Sequence, residues 1–161
     1  MPERLIDIPI ESLPFVDERS VSVDASAETT WAALLAWYEG GLADSAAGQL
    51  VVRGLDCDPA QRHGKPGRIG STIPGFIVAR AVPPAVLALM GEHRFSRYAL
   101  VFRITERIDA PVLLSAETRA EFPGARGRAY RALVIGSRAH VLVTARMLRA
   151  VRRAAEKRAG G

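Results

Sequence analysis

The stretch VLLSAETRAEFPG, residues 112–124, decides the fold. Leu114, Ala116, Thr118, Ala120 and Phe122 fall on one side of an extended chain, and Ser115, Glu117, Arg119 and Glu121 fall on the other. Such alternation belongs to a strand with one packed face and one wet face. Pro123-Gly124 ends it, and the apolar spacing then changes from two residues to about 3.6. Residues 124–158 read as one long Ala/Arg-rich helix, with Tyr130, Val134, Ser137, Val141 and Leu148 in a stripe and Leu133 and Val151 beside it. Ile135 and Leu142 lie among Arg131, Arg138, Arg149 and Arg153. The apolar arc is therefore wide: the helix is covered on more than one side, or a patch awaits a partner.

Upstream of this stretch the pattern is again that of strands. In residues 97–105, Tyr98, Leu100, Phe102 and Ile104 share one face, and with residues 86–90 they predict a hairpin joined through 91–96. Residues 68–73 and 76–82 predict two strands broken at Pro74-Gly75, and residues 50–55 a further one. Residues 56–67 hold Pro59, Gly64, Pro66 and Gly67 and predict a mobile loop. Near the start, Val21 and Val23 alternate with Ser20 and Ser22 in a strand over 15–23. Asp24 or Ser26 can cap the helix that follows, in which Trp31, Leu34, Leu35 and Tyr38 share one side. Gly40 and Gly41 end that helix, and residues 43–48 predict a second short one. Residues 1–13 form an arm in which Ile6, Ile8 and Ile10 predict an edge strand limited by Pro9 and Pro14. The order strand, helix, several strands, long helix implies an α+β domain spanning residues 1–161, a curved antiparallel sheet around its terminal helix.

Composition narrows the function classes. A chain of 161 residues with 48% hydrophobic content buries a core without staples, and its single cysteine, Cys57, forms no intrachain disulfide. The first fifteen residues carry Glu3, Asp7, Glu11 and three prolines, unlike a signal peptide. The longest run free of polar residues, 81–91, contains Pro83 and Pro84, and a span needs about 20 apolar residues. A cytoplasmic location is expected. Charge is uneven: residues 124–161 carry a net +9 and residues 1–123 a net −4. A basic helix can meet an anionic membrane surface, or it can simply be a solvated face. The basic face lacks interleaved aromatics, which argues against nucleic acid.

The segment Val23-x-Ala25 leading into a helix with Trp31, the Pro-Pro and strand-rich flow of residues 76–102, and the stretch Tyr130-Arg-Ala-Leu-Val-Ile-Gly136 together resemble the START-like (SRPBCC) superfamily. That superfamily includes birch-pollen-allergen-like and polyketide cyclase/dehydratase-like proteins. The resemblance spans nearly the whole chain and rests on no short invariant motif. It implies a helix-grip fold, with seven antiparallel strands gripping the C-terminal helix and a ligand cavity between them. It implies no single activity and transfers no catalytic residue. It points to binding of a hydrophobic small molecule (a lipid, polyketide or isoprenoid-like compound). The alternatives are a cyclase/dehydratase-type enzyme and a homodimerising module using Ile135, Leu142 and the arm.

The expected ligand-lining residues are Tyr98, Leu100, Phe102, Thr118, Phe122, Tyr130, Val134, Ser137 and Val141. Aromatics give contact area and small residues leave volume, although the same side chains can pack without a hole. Asp17 and Arg19 share the face of Val21 and Val23. Buried charge must be paired or reach water. Arg19 can therefore meet an anionic head group at a cavity mouth, unless the pair lies at an exposed strand end or a bulge resets the register. His63, His93 and His140 lack metal-ligand spacing, and no cofactor motif is present. His140 with Ser137 and Tyr130 is the best acid/base cluster the sequence offers, against the alternative of ordinary core or surface histidines. Glu92 and His93 point to opposite faces of their strand. Gly124-Ala-Arg-Gly127 has GxxG spacing but joins a strand to a helix, unlike the RNA-binding loop between helices.

Overall fold

Six strands pair antiparallel in one sheet of order β1-β6-β5-β4-β3-β2. They are β1 (Phe15–Val23), β2 (Thr72–Ile73), β3 (Phe76–Val82), β4 (Val86–His93), β5 (Ser96–Arg107) and β6 (Ala110–Glu121). The helices are α1 (Glu3–Ile6), α2 (Ala27–Gly40), α3 (Gly124–Val134) and α4 (Ala139–Ala159), with a 3-10 turn at Ile10–Ser12. This computed structural model describes residues 3–40, 53–136 and 139–161. The predicted helix over 43–48 and residues 50–52 of the predicted strand over 50–55 lie outside them.

Strand alternation sets the two faces of the sheet. Val23, Val78, Leu87, Leu89, Phe102, Ile104, Leu114 and Ala116 project to the concave side. There they meet Trp31, Leu34 and Tyr38 of α2 and Met147, Leu148, Val151 and Ala155 of α4. Burying each such large side chain stabilises by about 1.5–3 kcal/mol. Register shifts after Phe15, Val78 and Thr105 insert extra residues, and bulges of this kind bend and twist strands, which helps the sheet curve around α4. Ser26 caps α2, its Oγ accepting the Thr29 N–H at 3.1 Å.

α4 lies along β1 and α2, pinned at both ends. Asp24 N–H donates to Glu156 Oε1 at 3.3 Å, and near the other end His140 Nε2 stands 3.3 Å from Asp17 Oδ2.

Several expectations are corrected. The predicted single helix over 124–158 is two helices with a turn at Ile135 and Gly136. At Gly136 the backbone comes so close that a Cβ would overlap the Ala132 carbonyl oxygen. Periodicity alone could not show the break, because an apolar stripe continues across a kink.

The arm is helical rather than an edge strand, and it lies on its own sheet. Leu5, Ile10 and Leu13 are buried on the convex face against Ile77, Ala88, Met90, Ala99 and Val101. The spacing that matters is therefore 5, 10 and 13, and packing overrides the alternation of Ile6, Ile8 and Ile10.

Arg53 and Gly54 are helical and Leu55 lies in a turn, because a six-residue segment is too short for periodicity to separate helix from strand. Of residues 68–73 only Thr72–Ile73 is strand, since the Ser71 N–H is taken by the Arg68 carbonyl in a turn at 3.0 Å. β4 runs on to His93 and β5 starts at Ser96, so the hairpin turns on Arg94 and Phe95 alone. The sheet has six strands among the described residues, not seven.

Candidate functional site

Cross-strand register divides the concave face into rungs. In the innermost rung Arg19 pairs with Ala116, Ala116 with Phe102, and Phe102 with Leu87. Phe102 and Leu87 are fully buried, and Phe102 meets Trp37 edge-on at 5.9 Å. The next rung runs Asp17, Thr118, Leu100, Leu89. Beyond it lie Ala120, Tyr98 and Gly91. Closure weakens along this path: Ala116 and Phe102 are 0% exposed and Leu100 9%, whereas Thr118, Tyr98 and Phe122 are only half-buried. Of the helical residues expected to line a ligand, Tyr130 and Val134 of α3 and Val141 of α4 are half-buried too. Ser137 lies outside the described residues.

The outer rung is aromatic. His93 joins Tyr98 to Tyr130, its ring 5.5 Å from the first and 5.0 Å from the second. Phe95 stacks on Tyr130 at 5.4 Å, Phe76 meets Tyr98 edge-on at 5.4 Å, and Phe122 lies 6.4 Å from Tyr130. Offset and edge-on arrangements of this kind suit the ring quadrupoles. The Tyr98 hydroxyl donates to the Gly75 carbonyl at 2.8 Å. Burial, with Cys57 beside it, pushes this hydroxyl well above its ordinary value near 10.0. Burial also raises Tyr130 and lowers His93, whose Nδ1 accepts the Phe95 N–H at 3.1 Å. The wall is thus neutral at physiological pH. The sequence reading missed Phe76, His93 and Phe95 as members. The available signal was that His93 lies two residues beyond Gly91 and four beyond Leu89, on the inward side of β4.

The middle rung is polar where it meets α4. Asp17 and Thr118 are cross-strand partners on the inward face, so their Cβ atoms are about 5 Å apart. Asp17 and His140 side chains are 17% and 15% exposed. Their 3.3 Å approach is not aligned as a hydrogen bond. Arg19 Nε donates to Asp17 Oδ2 at 3.4 Å from a half-exposed side chain. Asp17 Oδ1, Thr118 Oγ1 and both ring nitrogens of His140 are buried without a hydrogen-bond partner. These are four of the six such side-chain atoms found among the described residues. A buried unsatisfied polar atom costs about 1–3 kcal/mol, so this concentration asks for an explanation. The β1 bulge falls at Val16 and so leaves Asp17 and Arg19 inward. Asp17 and Arg19, paired in the sequence reading, meet here with His140, which was read apart from them; Tyr130 belongs to the aromatic rung instead.

No sequence-family model matches the chain, and no curated protein does. Solved structures do match in fold. One is the di-domain ARO/CYC StfQ of the steffimycin biosynthetic pathway, with TM-score 0.53 and 14% identity over 94% of this chain; the match spans 54% of that longer chain. Another is truncated norcoclaurine synthase from Thalictrum flavum, with TM-score 0.52 and 12% identity over 91% of this chain and 95% of that one. No described helix is long and apolar enough to cross a membrane. With its curved antiparallel sheet closed by a C-terminal helix, the chain has a helix-grip fold, which it shares with these two structures.

Proposed function

We propose that this protein binds a hydrophobic small molecule between the sheet and α3–α4, over the two outer rungs of the concave face. The observation that carries this reading is the loss of closure along one continuous surface. Phe102, Ala116 and Leu100 are buried, while Thr118, Tyr98, Phe122, Tyr130, Val134 and Val141 are only half-buried. Apolar area left half-covered inside a fold favours an apolar guest, which gains about 25 cal/mol per Å² removed from water. The fold shared with StfQ and norcoclaurine synthase is compatible with this use.

The test is a titration with the neutral apolar fluorophore N-phenyl-1-naphthylamine. Saturable binding is expected, weakened severalfold by Val141→Trp, which fills the space from the half-buried helix side. Absence of saturation, or an unchanged isotherm in the variant, overturns the reading.

A further inference from the structure

We propose that Asp17, Thr118 and His140 form a site for the neutral hydroxyl group of an otherwise apolar ligand, and that the site rejects carboxylates. The inference rests on the reading of the concave face as a ligand site and adds the chemistry of the head group. Asp17 Oδ2 is approached by His140 at 3.3 Å and by Arg19 at 3.4 Å. Asp17 Oδ1 is buried with no donor, and an ionised carboxylate oxygen can only accept. Its guest must therefore donate. Thr118 Oγ1, one rung position away on the same face, is also buried and free, and a hydroxyl both donates and accepts.

One ligand hydroxyl satisfies both requirements. It donates to Asp17 Oδ1 and accepts from the Thr118 hydroxyl, or from a His140 ring nitrogen when that nitrogen carries the proton. A carboxylate has no proton to give and places a second negative charge against Asp17 where dielectric screening is weak. The Arg19 cation does not offset this, because its Nε is turned onto Asp17 and its side chain is half-exposed. Leu100 on the same rung and the half-buried Tyr98 on the next receive the apolar body. This replaces the idea of Arg19 as receptor for an anionic head group.

Isothermal titration calorimetry of the whole chain with dodecanol, dodecane and dodecanoate at neutral pH tests the proposal. Dodecanol is expected to bind at least about tenfold more tightly than dodecanoate, since one charge-assisted hydrogen bond contributes enough for that factor. Asp17→Asn, nearly isosteric, should raise dodecanoate affinity by about tenfold and erase most of the preference. Thr118→Val should weaken dodecanol severalfold and leave dodecane unchanged. Circular dichroism checks that each variant is folded. If none of the three compounds binds, the proposed function falls and this inference falls with it. If all three bind but dodecanoate equals dodecanol, or Asp17→Asn leaves their ratio unchanged, the hydroxyl site alone is overturned.

Discussion

His140 Nε2 lies 3.3 Å from Asp17 Oδ2, and sixteen residues later on the same helix Glu156 Oε1 accepts the Asp24 N–H, also at 3.3 Å. Sixteen helical residues rise about 24 Å and seven strand residues about 23 Å. α4 and β1 therefore run side by side in the same direction and in step. The polar site at Asp17 is held at one end of a rod whose other end is tied down.

Glu156 is the tie that can be cut without touching the site. It also pairs with Arg152 at 2.9 Å within the helix. Glu156→Ala should cost about 1 kcal/mol, a fall of about 2–4 °C in Tm for a domain of this size. Glu156→Gln keeps an acceptor for the Asp24 N–H and should recover most of the loss. Thermal melts followed by circular dichroism check the order wild type, Gln, Ala.

The arm closes the convex face. Leu5 is 2% exposed and packs with Ile10 and Leu13 over Met90 and Val101. Leu5→Ala should therefore destabilise by about 2–4 kcal/mol in urea titrations. Removing residues 1–13 should bare Ile77, Met90 and Val101 and raise anilinonaphthalene sulfonate fluorescence. A truncated chain with wild-type stability would show that the convex face needs no cover.

A buried charge network latches the same arm. Glu117, 7% exposed, accepts from Arg103 at 2.6 Å and from Arg119, and Arg119 also donates to the Leu13 carbonyl at 2.9 Å. Burial works to raise the Glu117 carboxyl, but the two guanidiniums outweigh it and hold the group below the ordinary value of 4.5. A lowered acid contributes stability that is present above 4.5 and lost as pH falls through its folded value. Glu117→Gln should therefore be less stable at neutral pH by about 1–2 kcal/mol. It should also lose less than wild type on acidification below 4.5. Urea titrations across that range measure both.

How much of this was legible in the sequence depends on the physics of each part. Strand alternation is local, so the shared face of Tyr98, Leu100, Phe102 and Thr118 could be read directly. The cap at Ser26 is local too. The break at Gly136 was not legible, because an apolar stripe looks the same across a kink. The packing of the arm is not legible, because its burial is decided by a surface more than sixty residues away in sequence. Asp17 and His140 were each noticed, but only the run of α4 along β1 brings them within 3.3 Å. Phe102, expected to line a ligand, is fully buried and meets Trp37 edge-on.

Gly91 permits the aromatic rung. A Cβ there would overlap the Gly75 carbonyl oxygen and stand 2.8 Å from two ring atoms of Tyr98. The same Gly75 carbonyl accepts the Tyr98 hydroxyl at 2.8 Å, so one methyl group would press on both partners of that bond. Overpacking of this kind costs about 1–3 kcal/mol, and more where backbone is the obstacle. Gly91→Ala should therefore destabilise by about 3 kcal/mol and displace Tyr98 from His93 and Phe76. Tyr98→Phe in that background should not restore stability, because backbone and ring, not the hydroxyl, are in the way. Gly40→Ala is the control: its Cβ would meet nothing within 4 Å, so that substitution should be neutral or slightly stabilising. Urea titrations of the three variants, with near-ultraviolet circular dichroism to follow the tyrosine environment, separate these outcomes; a Gly91→Ala protein as stable as Gly40→Ala would mean that the β3–β4 edge yields freely and that Tyr98 is not held.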